Sequence, residues 1–362
     1  MARMRATLVR CIVVLALASA AAAQVPDCKL AQSPREHAIC SDARLRALDA
    51  QISAAYTSLL AQLSAESAAL VQSDQSEWLR WIDLICPAHG KGVASDQTRC
   101  LYNQYGARAR DLKQTAQIGS AVIFPRARFL YRTADQSFQP HTRDYPGFGY
   151  GALRWPQIDL KSGPLPPSCA AFNEAIQSHA GKFGAGPFDA GQSVTFDTAV
   201  NASETIDAAY TIDAANDRLL EISLFTVNYL WVSGAAPLTT RTSFLWWLDK
   251  NRELTADDIF ASDSPWRQFV PSVATARLQD NTALKPLLRG DATIEGAVQQ
   301  SAVLPSNWIL THNGLRIIFP VGMVAANPAG MPRVFISWND LNFVLGSNFD
   351  HSTLPPPLPK PR

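Results

Sequence analysis

Five cysteines outside the N-terminal apolar stretch raise the first chemical question. Cys28, Cys40, Cys86 and Cys100 lie within 73 residues of one another, and Cys169 stands well apart. Four clustered thiols can bind a metal or pair with each other. No C-x-x-C pair is present, and the only nearby imidazoles belong to His37 and His89, so the pattern argues against zinc. In an oxidising compartment the same clustering reads as two disulfides. Cys169 is left as a buried free thiol.

Other reactive residue types do not assemble. The six histidines (His37, His89, His141, His179, His312, His351) are scattered, with no two inside five residues, so no helical His pair can grip a metal. Thr195-Phe196-Asp197 has an acid, but neither the second acid nor the paired histidines that a metal-dependent hydrolase needs. There is no G-x-S-x-G elbow and no P-loop. Gly147-Phe148-Gly149-Tyr150-Gly151 reads as a glycine-aromatic turn, because no βαβ frame surrounds it. Asp49 and Asp83 are carboxylates on helices, and a pair of acids without a sugar cleft between them is no glycosidase. No catalytic residue, no metal ligand and no cofactor is predicted.

The elements that carry the cysteines are helical. Ser33-Pro34-Arg35-Glu36 supplies an N-cap, a proline in the first turn and the reciprocal glutamate of a capping box. Leu45, Leu48, Ile52, Ala55, Tyr56, Leu59 and Leu63 follow at the 3–4 spacing of one buried stripe. Ser64 and Ser67 mark a break and a new cap. Leu70, Val71, Trp78, Trp81, Ile82 and Ile85 line a second helix, closed by Pro87 and Gly90, and Trp78 and Trp81 are expected to pack inside. A third helix starts near Ser95-Asp96 and carries Leu101, Tyr105 and Leu112. Short links make the three antiparallel neighbours. With a turn near residue 65, position 86 faces about position 44, which favours Cys40–Cys86 and brings Cys100 toward Cys28. Four cysteines allow three pairings, and the sequence leaves the choice open.

Composition bounds the rest. The chain has 362 residues, 47% hydrophobic and 17% charged, enough to build cores for two domains. Its net charge of +1 offers no footprint for nucleic acid or an anionic membrane. Residues 1–23 join Arg3, Arg5 and Arg10 to an apolar run and end in Ala21-Ala22-Ala23, the form of a secretory signal peptide. Without them 29 basic residues face 31 acidic ones. The apolar run is too short to span a bilayer, so a protein with no membrane span after cleavage, periplasmic or secreted, is expected.

Beyond residue 117 the period changes. Ser168–His179 reads as a helix; 205–212, 219–230 and 242–248 read as strands, with a turn at Asn216-Asp217. Pro125–Tyr150 reads as the entry to this domain, with a turn at Tyr145-Pro146-Gly147. A helical region follows from Thr255 through Trp266 and Val270 to Leu278. Strands at 308–310, 315–319 and 334–337 lead to a short helix from Trp338. The tail from Pro355 to Arg362 should be extended and loose. The predicted fold is α+β: a disulfide-linked three-helix bundle, then a larger α+β domain with a mainly antiparallel sheet. The expected divisions are 1–23, 24–117, 118–350 and 351–362.

Two family resemblances sit on these halves. Asp27-Cys28, Ser33, Glu36, Ile39-Cys40, Leu48-Asp49, Tyr56, Gln75, Trp78-Leu79, Asp83, Cys86, Cys100-Leu101, Tyr105, Arg108 and Leu112 resemble the LprI N-terminal family over about 27–113. Where that family usually has an arginine, three residues after Leu79, this chain has Ile82. In the second half, Tyr210, Asp213, Leu220–Phe225, Gly234-Ala235-Ala236-Pro237, Leu248-Asp249, Asp257-Asp258-Ile259-Phe260 and Asn313-Gly314-Leu315 resemble the extracytoplasmic region of the RsiV and PdaC proteins over about 120–346. Family members often have a histidine where Ala236 stands. The first family includes a lysozyme inhibitor, and RsiV binds lysozyme. Together they imply a non-enzymatic protein whose partner is lysozyme or another wall hydrolase. The alternative is a structural or sensory envelope protein that binds peptidoglycan.

Overall fold

The computed structural model describes residues 28–87, 97–133, 145–184, 193–231 and 237–358. The expected leader over 1–23, the helix start at Ser95-Asp96, His89, Gly90, His141, the loop Gly234-Ala235-Ala236 and tail residues 359–362 lie outside the described residues.

Ser33 opens α1 (Pro34–Ser41): its hydroxyl accepts from the Glu36 N–H, and the Glu36 carboxylate accepts from the Ser33 N–H at 2.9 Å. This is the expected capping box. The helix then breaks at Asp42, whose carboxylate accepts from the Arg44 N–H at 2.7 Å and starts α2 (Ala43–Leu60). Ser64 caps α3 (Ala65–Ile85), and α4 (Gln97–Asp111) returns antiparallel. Ile39, Leu45, Ile52, Val71, Trp78 and Leu101 are buried between them.

The break at Asp42 changes the disulfides. The bridges are Cys28–Cys40 and Cys86–Cys100, not Cys40–Cys86 with Cys28–Cys100. Asp42 is extended, so it takes α1 off the axis of α2, and Cys40 does not sit where one continuous helix would place it. Cys86 caps the end of α3 and Cys100 lies in the first turn of α4, so that bridge spans the connection between them. Cys169 is free and partly exposed.

The larger sheet contains β1 (Ala116–Ile118), β2 (Ala121–Thr133) and β3 (Phe148–Leu160). After α5 (Pro167–Ala180), a small ribbon of β4 (Lys182–Gly184) and β5 (Ser193–Thr195) and the turn α6 (Phe196–Ala199), it resumes with β6 (Glu204–Ala215), β7 (Leu219–Leu230), β8 (Leu238–Trp247) and β9 (Arg252–Glu253). The order is β1-β2-β3-β6-β7-β8-β9, antiparallel except where β3 meets β6. The expected entry segment is therefore a pair of 13-residue strands. Pro125 stands opposite Pro156 in their register, while β1 reaches only to Ile123 and β6 only to Leu153. No outer strand asks either proline for a donor, so two loop-like residues sit in a strand at no ladder cost.

The glycine-aromatic run is corrected too. Only Gly147 is in the left-handed region, with φ 93°, and strand begins at Phe148. A Cβ on Gly149 would lie 1.7 Å from the Asn201 carbonyl oxygen, and one on Gly151 would lie 2.4 Å from Val200 Cγ2. These glycines let the segment before β6 pass close to β3.

One face of the sheet is covered by α5, whose Phe172 and Ile176 pack with Trp155, Ile206, Ile222 and Phe244. On the other face α2–α4 cover β2 and β3, and one apolar core runs from Trp81 and Leu112 into Phe124, Phe129 and Phe148. The core thus crosses the sequence boundary at residue 117. Polar contacts fix this docking. Arg126 pairs with Asp74 at 2.8 Å, and Arg154 with Asp111 at 2.5 Å. The Ser64 N–H donates to Asp159 at 2.7 Å, and the Trp81 indole N–H donates to the Leu130 carbonyl at 2.8 Å.

The C-terminal part covers β7 and β8. It holds α7 (Trp266–Gln279), α8 (Asp291–Ser301), the antiparallel sheet β10 (Trp308–Thr311), β11 (Gly314–Ile318) and β12 (Arg333–Ser337), and α9 (Trp338–Leu341). Phe260 stacks on Trp266 at 4.7 Å, and Trp308 meets both edge-on, beneath Leu219, Leu245 and Trp247. The helix expected from Thr255 is instead a 3₁₀ turn at Ala256–Asp258, with α7 starting after Pro265. The start of the tail is not loose: Pro357 bridges Ala214, and the Leu358 N–H donates to the Asp213 carbonyl at 2.9 Å. Leu358 supplies the donor that its proline neighbours lack.

The disulfide pairing is directly testable. Denatured, unreduced protein lacking residues 1–23 should titrate a single thiol, Cys169, and peptide mapping should recover Cys28 with Cys40 and Cys86 with Cys100. Peptides joining Cys40 to Cys86 would contradict the structure.

Candidate functional site

The helical module carries one partly exposed polar cluster. The Arg35 guanidinium on α1 pairs with Asp83 on α3 at 2.7 Å and donates to the Tyr105 hydroxyl on α4 at 3.4 Å. Trp78 meets Tyr105 edge-on at 5.0 Å. Burial pushes the Tyr105 hydroxyl up to about 12, against the pull of Arg35. Asp49 on α2 lies near this group. Burial pushes its carboxyl up to about 6, with Arg35 acting in the opposite direction, and Oδ2 has no hydrogen-bond partner among the described residues. Asp49 and Asp83 therefore differ: one is a half-buried acid short of donors, the other a paired surface acid.

Deeper in, Arg108 is buried, donates to the Gln75 side-chain oxygen at 2.9 Å and lies over the rings of Trp78 and Phe129. Gln75, Trp78, Tyr105 and Arg108 thus act chiefly as the packed interior that joins α3 and α4 to β2. Ile82 is fully buried in the same core, 0% exposed, so the position that carries an arginine in the resembling family faces inward here.

A groove of about 630 Å³ opens between α2 and α4 on one side and β3 and β6 on the other. Its floor includes Trp81 and Tyr150, whose rings meet at 5.9 Å. Its end is closed by Arg154, which reaches from Asp111 on α4 to Asp207 on β6. Burial would lower the Arg154 guanidinium, but the two carboxylates outweigh it and hold its proton more tightly than usual. Arg110 and Lys113 line the α4 side, both exposed, with no acidic partner among the described residues. Gln51 and Gln104 add amides, and the half-exposed Asp207 carboxylate faces from β6.

Elsewhere the candidate motifs resolve into structure. Asp197 pairs with Arg128 at 2.8 Å. Among the described residues no group of three or more His, Cys, Asp or Glu is placed to hold a metal ion, and no helix is long and apolar enough to cross a membrane. Under the C-terminal sheet, Glu221 is wholly buried and accepts from the Leu310 N–H at 3.0 Å. Burial, helped by the Asp213 carboxylate, pushes Glu221 well above the usual carboxylate range. The clustered groove residues were not legible beforehand, because they come from five elements between positions 48 and 207.

Comparison with known proteins places two families on this architecture. Residues 28–112 match the family described as Lysozyme inhibitor LprI, and residues 257–339 match a protein family of unknown function, DUF3298. The chain is also similar to two crystal structures of DUF3298-family proteins. The one from Bacteroides fragilis is 14% identical, with 64% of this chain and 96% of that chain covered and a TM-score of 0.38. The one from Pseudomonas aeruginosa is 11% identical, with 62% and 94% covered and a TM-score of 0.40. No curated protein matches the chain.

Two substitutions test this geometry. Between about pH 4 and 6 the folded protein holds a proton on Asp49 that the unfolded chain has lost, so this group makes stability fall as pH rises through that window. Asp49→Asn should melt above the parent at pH 7.5, with the gap closing by pH 4; a gap independent of pH would refute the burial argument. Ile82→Arg should lose about 3–5 kcal/mol in denaturant titration, the scale of an uncompensated buried charge. Unchanged stability would show that position 82 reaches solvent.

Proposed function

We propose that this is an extracytoplasmic binding protein, periplasmic or secreted, that captures and inhibits lysozyme or a related wall hydrolase. The observation that carries this reading is the match of residues 28–112 to the Lysozyme inhibitor LprI family on a helical module held by two disulfides. The disulfides suit an oxidising compartment. Lysozymes are commonly cationic, and electrostatic complementarity would favour an acidic contact. Leu84 at the end of α3 supplies an apolar side chain that is 49% exposed, and Asp83 beside it, paired with Arg35, keeps its side chain 46% exposed.

The test is isothermal titration of mature protein, residues 24–362, against chicken-, goose- and invertebrate-type lysozymes at moderate salt, with lytic activity read in parallel. Micromolar or tighter binding to at least one class, with loss of its lytic activity, is expected. No binding to any of the three overturns the proposal, and retention on insoluble peptidoglycan in that case would replace it with an envelope glycan-binding role.

A further inference from the structure

We propose that the groove between α4 and the β3–β6 seam binds an acidic saccharide. Its size is that of a ligand cleft, about 630 Å³, within the range of roughly 300–1,000 Å³ typical of small-molecule sites. Its chemistry is selective. The Arg154 charge is consumed by Asp111 and Asp207, so it is fixed structure and not a free anion trap. Arg110 and Lys113 are different: three positions apart at the end of α4, both exposed, both lining the groove, neither paired with an acid among the described residues. Cations at a helix C-terminus already complement its dipole, but that role asks only for charge near the last turn and not for a cleft in front of it.

The opposite wall sets what else the ligand must carry. Asp207 has one oxygen on Arg154 and a side chain 59% exposed, so it can still accept hydrogen bonds from ligand hydroxyls. Gln51 and Gln104 offer amides that donate and accept, and half-buried Tyr150, backed by the buried Trp81 at 5.9 Å, offers an aromatic surface for an apolar ring face. A carboxylate at one end, several hydroxyl donors along one edge and an apolar ring face describe a sugar acid. A neutral sugar would leave Arg110 and Lys113 unanswered. A fatty acid would leave Asp207 and the amides unanswered.

This site does not depend on lysozyme binding, and its test contains no hydrolase. Mature protein would be titrated by ligand-observed NMR and calorimetry with N-acetylmuramic acid and glucuronic acid, with N-acetylglucosamine as the neutral control and an acidic dipeptide as the non-sugar control. The expected result is that at least one sugar acid binds ten-fold or more tighter than both controls. Arg110→Gln with Lys113→Gln should remove that preference with only a small drop in melting temperature, because both side chains are solvent-facing and contribute to the fold only through the helix dipole. Equal binding of the neutral sugar, tighter binding of the dipeptide, no binding of either sugar acid, or a double variant that binds as the parent does would each overturn the proposal.

Discussion

Two guanidinium groups held between helices and sheet, one buried and one largely so, set the geometry on which the molecule depends. Arg126 on β2 finds Asp74 on α3, and Arg154 on β3 finds Asp111 on α4. Apolar burial is the larger attraction between helices and sheet, but it is non-directional and would tolerate sliding. A buried arginine tolerates little, since leaving one member of such a pair alone costs about 3–5 kcal/mol. Each pair pins one helix to one strand, and Ser64 against Asp159 fixes the start of α3. Arg154 goes further by holding Asp207 as well, so one side chain spans α4, β3 and β6 and sets the width of the groove beside it.

The C-terminal half uses ion pairs at its near edge, where Arg252 on β9 and Lys250 hold Asp258, and docks its own sheet by hydrogen bonds. Glu221 on β7 accepts from the Leu310 backbone, and the Ser243 hydroxyl donates to the Trp308 carbonyl, so β10 is tied to the larger sheet by single hydrogen bonds set within an aromatic core. A carboxyl pushed toward its neutral form there keeps the interface free of an uncompensated charge. The sheet therefore carries two unlike modules side by side on one face, each oriented by polar contacts, with α5 and the short turn α6 packed on the other.

What could be read in the sequence was local. The Ser33 box, the Ser64 cap, the Asn216-Asp217 turn and the alternation of β6 to β8 depend on neighbours within a few residues, and each is where its residues put it. The misreadings have physical causes. The segment from Pro125 to Tyr150 read as a domain entry, and Pro125 fits inside a strand only because of where the adjoining strands stop. The glycines at 149 and 151 looked like a turn because what they accommodate, the backbone near Asn201, lies some fifty residues away in sequence. Asp74 and Arg126 are 52 residues apart, and nothing in either neighbourhood announces the other. The groove belongs to this last kind: every residue in it has a bland local role, and the site exists only once α4 is docked.

The two disulfides join cysteines that are consecutive along the chain, closing spans of 12 and 14 residues. A polypeptide threaded N-terminus first into an oxidising compartment thus presents Cys40 to Cys28 before Cys86 has emerged. It presents Cys100 to Cys86 before Cys169 appears. In such a compartment, pairing in order of arrival would give the native connectivity without rearrangement. Had the bridges tied α1 to α3, the first pair to meet would have been the wrong one.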